Sequence, residues 1–390
     1  GGVKTLYDKN VAAGAGAKGW TSDLVLDADQ NMTQKQINAY LYPKIKRENI
    51  SIWDFFSKEE LTAYKASPTT YDASKQLQAF FDYIIANNVG VANTSGTFKT
   101  SKTINFVGAS KTTQLIGMLN ITPLSNFVGT AVMYIAAGEF NWYGGIDCWT
   151  GDYIYANRTA DIGVLIGAYS PAMASRCYID KIVAGGYRQI GVKFQSATTG
   201  MTVRTISVHA NGSGKLNDAR YNAVPVVLSS RVDDDNAGTG QYTEFNVSNL
   251  PIDNLHTPLH ILINGELFTV NSVDRDNNKI NIVPNVDYTL TEDITANYIW
   301  GAGIFTIGSD TSVLNIGNIW GTANSYALWQ GALYPANVGA IISEENLSTL
   351  ALGSGISNAC VGGTINYVYT ESNLFDLVVA TRAAINFRFL

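Results

Sequence analysis

Two glutamates, Glu344 and Glu371, sit in segments that can be laid over one another without a gap. Ile341-Ile-Ser-Glu344-Glu-Asn346-Leu-Ser-Thr-Leu350 precedes Val368-Tyr-Thr-Glu371-Ser-Asn373-Leu-Phe-Asp-Leu377 by 27 residues, and Ile319-Trp-Gly-Thr-Ala-Asn324-Ser-Tyr-Ala-Leu328 lies 22 residues earlier still. Along Val368-Tyr-Thr-Glu371, strand alternation puts Val368 and Thr370 on one face and Tyr369 and Glu371 on the other. Burying both carboxylates in an apolar core would be costly. Val368 is therefore expected inside and Glu371 outside, with Glu344 beside it on the next strand at ~4.8 Å. Two carboxylates that close repel, which is expected to keep one of them protonated. A protonated acid beside an ionised partner at roughly 5 Å is the catalytic pair of a retaining glycosidase. The same spacing also suits an exposed acidic surface, or a pair neutralised by Lys or Arg from a neighbouring chain. Trp320, Tyr326, Trp329 and Tyr369 lie on or next to the same segments and are expected to bind substrate, because pyranose faces stack on aromatic rings. Their alternative is packing in a core or between subunits.

The elements that would position these residues are short strands repeated at 20 to 30 residues, the signature of a β-solenoid in which each coil buries its inner face on the next. Aligned Asn324, Asn346 and Asn373 fit a stacked turn whose amides bond along the stack. Upstream, Ile162-Gly-Val-Leu matches Ile190-Gly-Val-Lys, and Ile179-Asp180-Lys-Ile182 matches Val203-Arg204-Thr-Ile206, which sets Asp180 beside Arg204 as an ion pair between coils. Val313-Leu-Asn-Ile316 matches Val203-Arg-Thr-Ile206 at an offset of 110, so an insertion separates the two parts.

Along the chain, residues 1–65 read as an extended leader, with a short helix from Thr33 as N-cap. Tyr71 to Ala86 carries one continuous apolar stripe, a helix over about 72–87 started by Asp72 or Ser74 and ended by Asn87-Asn88. It is expected to cover the open end of the stack. Residues 66–232 are the first part of the solenoid, 233–304 an inserted small β-subdomain and 305–390 the second part. Within the insert, Leu259–Ile263, Asn264-Gly265 and Glu266–Val273 read as a hairpin. His256 and His260 are separated by Pro258 and are expected in a loop rather than on a metal-binding helix face. Gly1-Gly2 reads as a processing scar, and the strand-like Asn386-Phe-Arg-Phe-Leu390 carries no capping element, so the sequence is expected to be cut from a longer chain.

The chain is 46% hydrophobic and 15% charged, with 36 glycines and 21 tyrosines, so its polar surface comes largely from Ser, Thr, Asn and Gly. A net charge of −6 argues against nucleic acid as a partner. No apolar run is long enough to enter a membrane. Three scattered cysteines without a CxxC pattern argue against a metal centre, and no cofactor is expected.

Several stretches resemble bacteriophage tailspike depolymerases: Thr33-Gln-Lys-Gln-Ile-Asn, Asn49-Ile-Ser-Ile-Trp-Asp-Phe55, Thr70-Tyr-Asp-Ala-Ser before the helix, and Ser95-Gly-Thr-Phe98 leading into the coils. Tyr369-Thr-Glu371-Ser-Asn373 is similar to the Tyr-x-Glu-x-Asn coil of the pectate-lyase-like superfamily. The resemblance implies an all-β fold, a right-handed parallel β-helix capped by an N-terminal helix. It further implies a homotrimer in the extracellular virion tail, joined to tail or baseplate proteins through its N-terminal side. Its substrate would be a bacterial surface polysaccharide, capsular or O-antigen, cleaved by hydrolysis. A non-catalytic receptor-binding adhesin and a polysaccharide lyase stay open as alternatives, since fold alone does not choose among them.

Overall fold

The computed structural model describes residues 26–27, 32–33, 50–167, 174–195, 198–213, 224–233, 243–248, 259–264, 266–283, 293–308, 312–332, 336–352, 360–373, 375–379 and 383–387. Among the described residues the chain is mostly β (66%), with two α-helices, and its long parallel sheet curls about 314° round an axis. Among the described residues no helix is long and apolar enough to cross a membrane.

The sheet is a solenoid that passes through two faces in turn. Its first face stacks, in order, the end of the long run Gly96–Trp149, then Tyr178–Gly185, Thr198–His209, Ser312–Thr322, Asn337–Glu344, Cys360–Glu371 and Ala383–Phe387. Its second face stacks Ile162–Ile166, Ile190–Phe194, Ala302–Gly308, Tyr326–Ala332, Ser348–Leu352 and Phe375–Val379. Both faces are paired in parallel, so the same position of each coil meets its equivalent above and below. Ile146, Ile182, Ile206, Ile319 and Ile341 form one inward column in this way. All five are fully buried, at ~2 kcal/mol of hydrophobic stabilisation each. Val368 continues the column but is 39% exposed; the next described strand, Ala383–Phe387, pairs with positions 360–365.

The turn between the faces repeats as closely as the strands. Five of the first-face strands are followed by a residue with left-handed backbone: Gly186 (φ 79°), Ala210 (53°), Ala323 (62°), Glu345 (53°) and Ser372 (56°). For the four that are not glycine this costs ~1–2 kcal/mol apiece. The cost is offset because the bent backbone aims its N–H at the next coil: Ala210 N donates to Thr322 O (3.0 Å), Ala323 N to Glu344 O (3.1 Å) and Glu345 N to Glu371 O (3.0 Å). An asparagine follows each of these four residues. Asn211 Nδ2 donates to Asn324 Oδ1 (2.8 Å) and Asn324 Nδ2 to Asn346 Oδ1 (2.9 Å), while Asn346 N donates to Asn373 Oδ1 (2.8 Å). The expected ladder of Asn324, Asn346 and Asn373 is present, and Asn211 extends it.

The upstream matches also hold. Ile162 pairs with Ile190 and Ile179 with Val203, and Arg204 Nε lies 2.5 Å from Asp180 Oδ1. The match across the insertion needs correction. Val203 pairs with Ile316 and Ile206 with Ile319, an offset of 113 rather than 110. Apolar residues three apart occur in the sequence at both Val313/Ile316 and Ile316/Ile319, so the short pattern fits twice. Burial of Ile316 and Ile319 selects the second fit.

Between Asn211 and Trp300 the chain leaves the stack and forms a closed antiparallel barrel of Val224–Asp233, Thr243–Val247, Lys279–Val283, Glu266–Asp274, Leu259–Ile263 and Ile294–Trp300. The expected boundary at 233 falls at the end of the first barrel strand. The expected hairpin is there: Ile263 pairs with Glu266 across Asn264 (φ 51°) and residue 265. The barrel has its own core, including Phe245, Ile261, Phe268, Ile282 and Tyr298. Its departure and return points are tied together, since Trp300 N donates to Ser213 Oγ (3.0 Å) and Ser325 Oγ to Trp300 O (2.7 Å).

At the N-terminal side, α1 (Lys58–Ala66) opens with a capping box between Ser57 and Glu60. Helix α2 (Ser74–Asn87) buries Leu77, Phe80, Phe81 and Ile84, and Phe81 packs on Phe106 (5.1 Å) and Trp142 (6.1 Å). Asp72 ties its first turn to the sheet: Oδ1 accepts from Ser74 N (3.0 Å) and Ser101 N (3.1 Å). Asn88 ends it in left-handed backbone (φ 48°). Thr33 closes a two-residue strand paired with Leu26–Asp27; the helix it was expected to cap, 34–41, lies outside the described residues, as do residues 1–25 of the leader.

His260 is not in a loop. It sits on barrel strand Leu259–Ile263, 1% exposed, with Nδ1 2.6 Å from the Tyr326 hydroxyl. Its Nε2 has no partner among the described residues, and burial pushes its pKa down to about 3. The neutral ring joins the barrel to the solenoid.

Two outcomes follow from this packing. Replacing Asn346 by Ala leaves Gly321 O, Glu344 O and Asn324 N without their side-chain partner, so Asn346→Ala is expected to lower stability by about 3 kcal/mol. Half-buried Asn373→Ala costs less; urea midpoints at unchanged slope check both. Between pH ~6.5 and about 3 the unfolded His260 is protonated while the folded one is not. Stability is then expected to fall on acidification by ~1.4 kcal/mol per pH unit in that window. His260→Gln removes that slope, as measured by denaturation across the pH range.

Candidate functional site

Glu344 and Glu371 each occupy the last strand position before the left-handed turn, and they pair directly, Glu344↔Glu371. Their backbones are held from the preceding coil, by Ala323 N on Glu344 O and Glu345 N on Glu371 O. The same strands bury Ile341 and Ile365. Both carboxylates therefore face out, Glu344 half-buried and Glu371 exposed. Two residues earlier on the same outer surface run Trp320, Ile342 and Tyr369, again paired in sequence from coil to coil. Trp320 is 47% exposed and Tyr369 43%. The fold thus brings four of the sequence-predicted residues together: a carboxylate pair beside a short aromatic column, with Ile342 in its middle.

Tyr369 is joined to the pair chemically. Its hydroxyl donates to Glu371 Oε2 at 2.9 Å. That bond, and the negative charge of Glu371 and then Glu344, raise the phenol pKa above its ordinary value. Tyr369 therefore stays a hydrogen-bond donor to Glu371. Among the described residues neither glutamate takes part in an ion pair. Such an arrangement can present a proton and a nucleophile to one bond, with flat apolar surfaces beside it for a sugar ring.

Tyr326 and Trp329 do not join this surface. They lie on the second face, in strand Tyr326–Ala332, which is buried along its whole length. Tyr326 is 0% exposed and Trp329 2%. The His260 ring stacks on Trp329 with centroids 4.5 Å apart, and Ile299, Leu262 and Leu267 of the barrel pack against the same cluster. Neither ring can receive a substrate there; both serve the seam between solenoid and barrel. The signal was in the run Tyr-Ala-Leu-Trp-Gln-Gly-Ala, which lacks the alternation of a half-exposed strand, as expected where both faces are covered.

Sequence reasoning missed Tyr367, outward and 57% exposed two residues before Tyr369; alternation along Tyr367-Val-Tyr-Thr-Glu371 would have found it. The site lies on an open strand surface. A groove of about 550 Å³ lies elsewhere, lined by Asp72, Lys75, Gln78, Asp82, Lys102 and Asn105 between α2 and the first coil.

The Tyr369 bond makes a direct expectation. In Glu371→Gln the Tyr369 phenol should titrate closer to an ordinary tyrosine, and in Glu344→Gln by a smaller amount. Difference titrations by ultraviolet absorbance, each against the matching Tyr369→Phe background, report it; an unchanged phenol in Glu371→Gln would contradict the contact.

Compared with known proteins, the chain matches no family model, no curated protein and no solved structure.

Proposed function

We propose that this chain binds and hydrolyses a bacterial surface polysaccharide, capsular or O-antigen, through Glu344 and Glu371. The observation that carries the reading is the direct pairing of the two glutamates on adjacent outer strands, at the ~4.8 Å spacing of strands in a sheet. That spacing suits a retaining mechanism. Glu371, whose Oε2 already accepts the Tyr369 hydroxyl, is held in one orientation and acts as nucleophile on the anomeric carbon. Glu344 protonates the departing glycosidic oxygen and then takes a proton from the water that releases the enzyme-bound sugar. Trp320 and Tyr369 support the ring being cleaved. The chemistry needs no cofactor or metal.

In the same reading the solenoid is a right-handed β-helix whose N-terminal end α2 closes. Three copies lie side by side as a phage tailspike in the extracellular virion tail, attached to tail proteins through the N-terminal side. A second reading has its own support. The glutamates stand on an open surface, with Glu371 exposed, which equally suits an adhesin that holds the polysaccharide without cutting it. In the trimer reading, a neighbouring solenoid supplies the missing wall.

The test is Glu344→Gln and Glu371→Gln, made separately and assayed for new reducing ends on purified Gram-negative capsular and O-antigen polysaccharides. Each variant is expected to lose at least ~100-fold in turnover while keeping its fold and its trimer mass by light scattering. Near-wild-type turnover in both excludes this pair. Binding without any cleavage by the wild type selects the adhesin, and unsaturated sugar ends in the product select a lyase.

A further inference from the structure

The outer position held by Glu344 and Glu371 continues down the stack as a single column. Going from coil to coil, Trp149 pairs with Gly185, Gly185 with His209, His209 with Thr322, and Thr322 with Glu344. At the far end of this column the Trp149 and His209 rings stack, with centroids 4.7 Å apart and planes 20° from parallel. Their backbones are two strands apart, so the rings meet only because the residue between them has no side chain. A Cβ on Gly185 would come within 2.6 Å of His209 O and 3.2 Å of Trp149 Cδ1. The stack is braced. Tyr153 meets Trp149 edge-on at 6.1 Å, and Trp149 N donates to Asp147 Oδ1 at 2.9 Å. Yet Trp149 is 38% exposed, an unusual state for a large ring so firmly held.

We propose that the Trp149–His209 stack is a remote carbohydrate subsite, which receives a pyranose ring of the same polysaccharide chain that lies over Glu344 and Glu371. The inference rests on the polysaccharide reading of that surface. A flat, rigid, apolar platform matches the apolar face of a pyranose, and Asp147 beside it offers an acceptor for ring hydroxyls. Burial holds the His209 pKa below its ordinary value, against the pull of Asp147 and with the push of Lys181, so the platform carries no charge at neutral pH. From Trp149 to Glu344 the column runs four strand steps, roughly 19 Å at ~4.8 Å per strand. That is the span of several pyranose units, so the subsite is reached only by a chain of some length running along the stack axis.

The experiment begins with the Glu344→Gln/Glu371→Gln double variant, which binds without cutting, on an array of purified Gram-negative capsular and O-antigen polysaccharides. The polysaccharide it binds is partly hydrolysed by acid and sorted by length. Trp149→Ala in that background is expected to weaken binding of long chains about tenfold. Trp149→Phe restores most of it, and the penalty vanishes for oligosaccharides too short to span the column. Equal binding by Trp149→Ala at every length overturns the subsite, and so does an equal loss at every length, which marks a purely structural ring. If the parent binds or cleaves a polysaccharide and Trp149→Ala changes nothing, the subsite alone falls. If the parent binds none of the array, the polysaccharide reading falls and the subsite with it.

Discussion

Register is the constraint on which this protein depends. In a parallel stack every residue meets its equivalent in the next coil, and a slip by one position would turn each strand inside out. Two devices hold the register. The buried isoleucine column from Ile146 to Ile341 makes the inward positions apolar. The left-handed residue and asparagine that follow four of the first-face strands, from Ala210-Asn211 to Ser372-Asn373, then pin the ends of those strands to one another. The amides of Asn211, Asn324 and Asn346 are buried, and the bonds of the ladder are made only in one alignment. A slipped strand would leave them unpaired, at a cost larger than the backbone strain the turns accept.

That constraint also explains how the chain tolerates a barrel in the middle of a coil. The barrel replaces none of the stacked elements. Asn211 still bonds Asn324 across the insertion, and Ser213, Trp300 and Ser325 close the gap where the chain leaves and returns. With its ends this near each other, the inserted domain adds little strain to the stack. The barrel then settles on the second face of the sheet, where His260, Tyr326 and Trp329 make a dry contact. The barrel thereby covers Tyr326 and Trp329 on the second face, while among the described residues Trp320, Tyr367 and Tyr369 on the first face stay exposed.

The outer surface inherits its order from the same register. Because Glu344 and Glu371 occupy equivalent strand ends, the ladder that fixes the coils also sets the two carboxylates side by side, and it aligns Trp320, Ile342 and Tyr369 next to them. A repeating scaffold offers a repeating surface, and a glycan is itself a repeating ligand. The proposed reading as a polysaccharide site rests on that correspondence together with the aromatic and carboxylate chemistry, while the bacterial surface polysaccharide as its substrate class is what the resemblance to tailspike depolymerases implies.

Much of this was legible in the linear chain because a parallel stack writes its contacts as sequence repeats. Asn324, Asn346 and Asn373 could be aligned by eye, and the outward placement of Glu344 and Glu371 followed from alternation and the cost of burying charge. The Asp180–Arg204 pair and the helix over 74–87 were readable for the same local reasons. Where contacts did not repeat, the sequence was silent. Asn211 belongs to the ladder, but an insertion stands between it and Asn324, and a pattern of two apolar residues was too short to set the register across that gap. Tyr326 and Trp329 looked like surface aromatics on a coil; only the docking of the barrel, a contact between segments that share no repeat, buried them. The Trp149–His209 stack depends on a missing side chain at Gly185, one strand away from each ring in space and 36 and 24 residues away in sequence. Sequence determines which residues a repeat will bring into line, since identical steps need no three-dimensional information. Closure of the barrel, its choice of face and contacts across a gap are decided by packing between unlike surfaces, which only the folded chain can bring together.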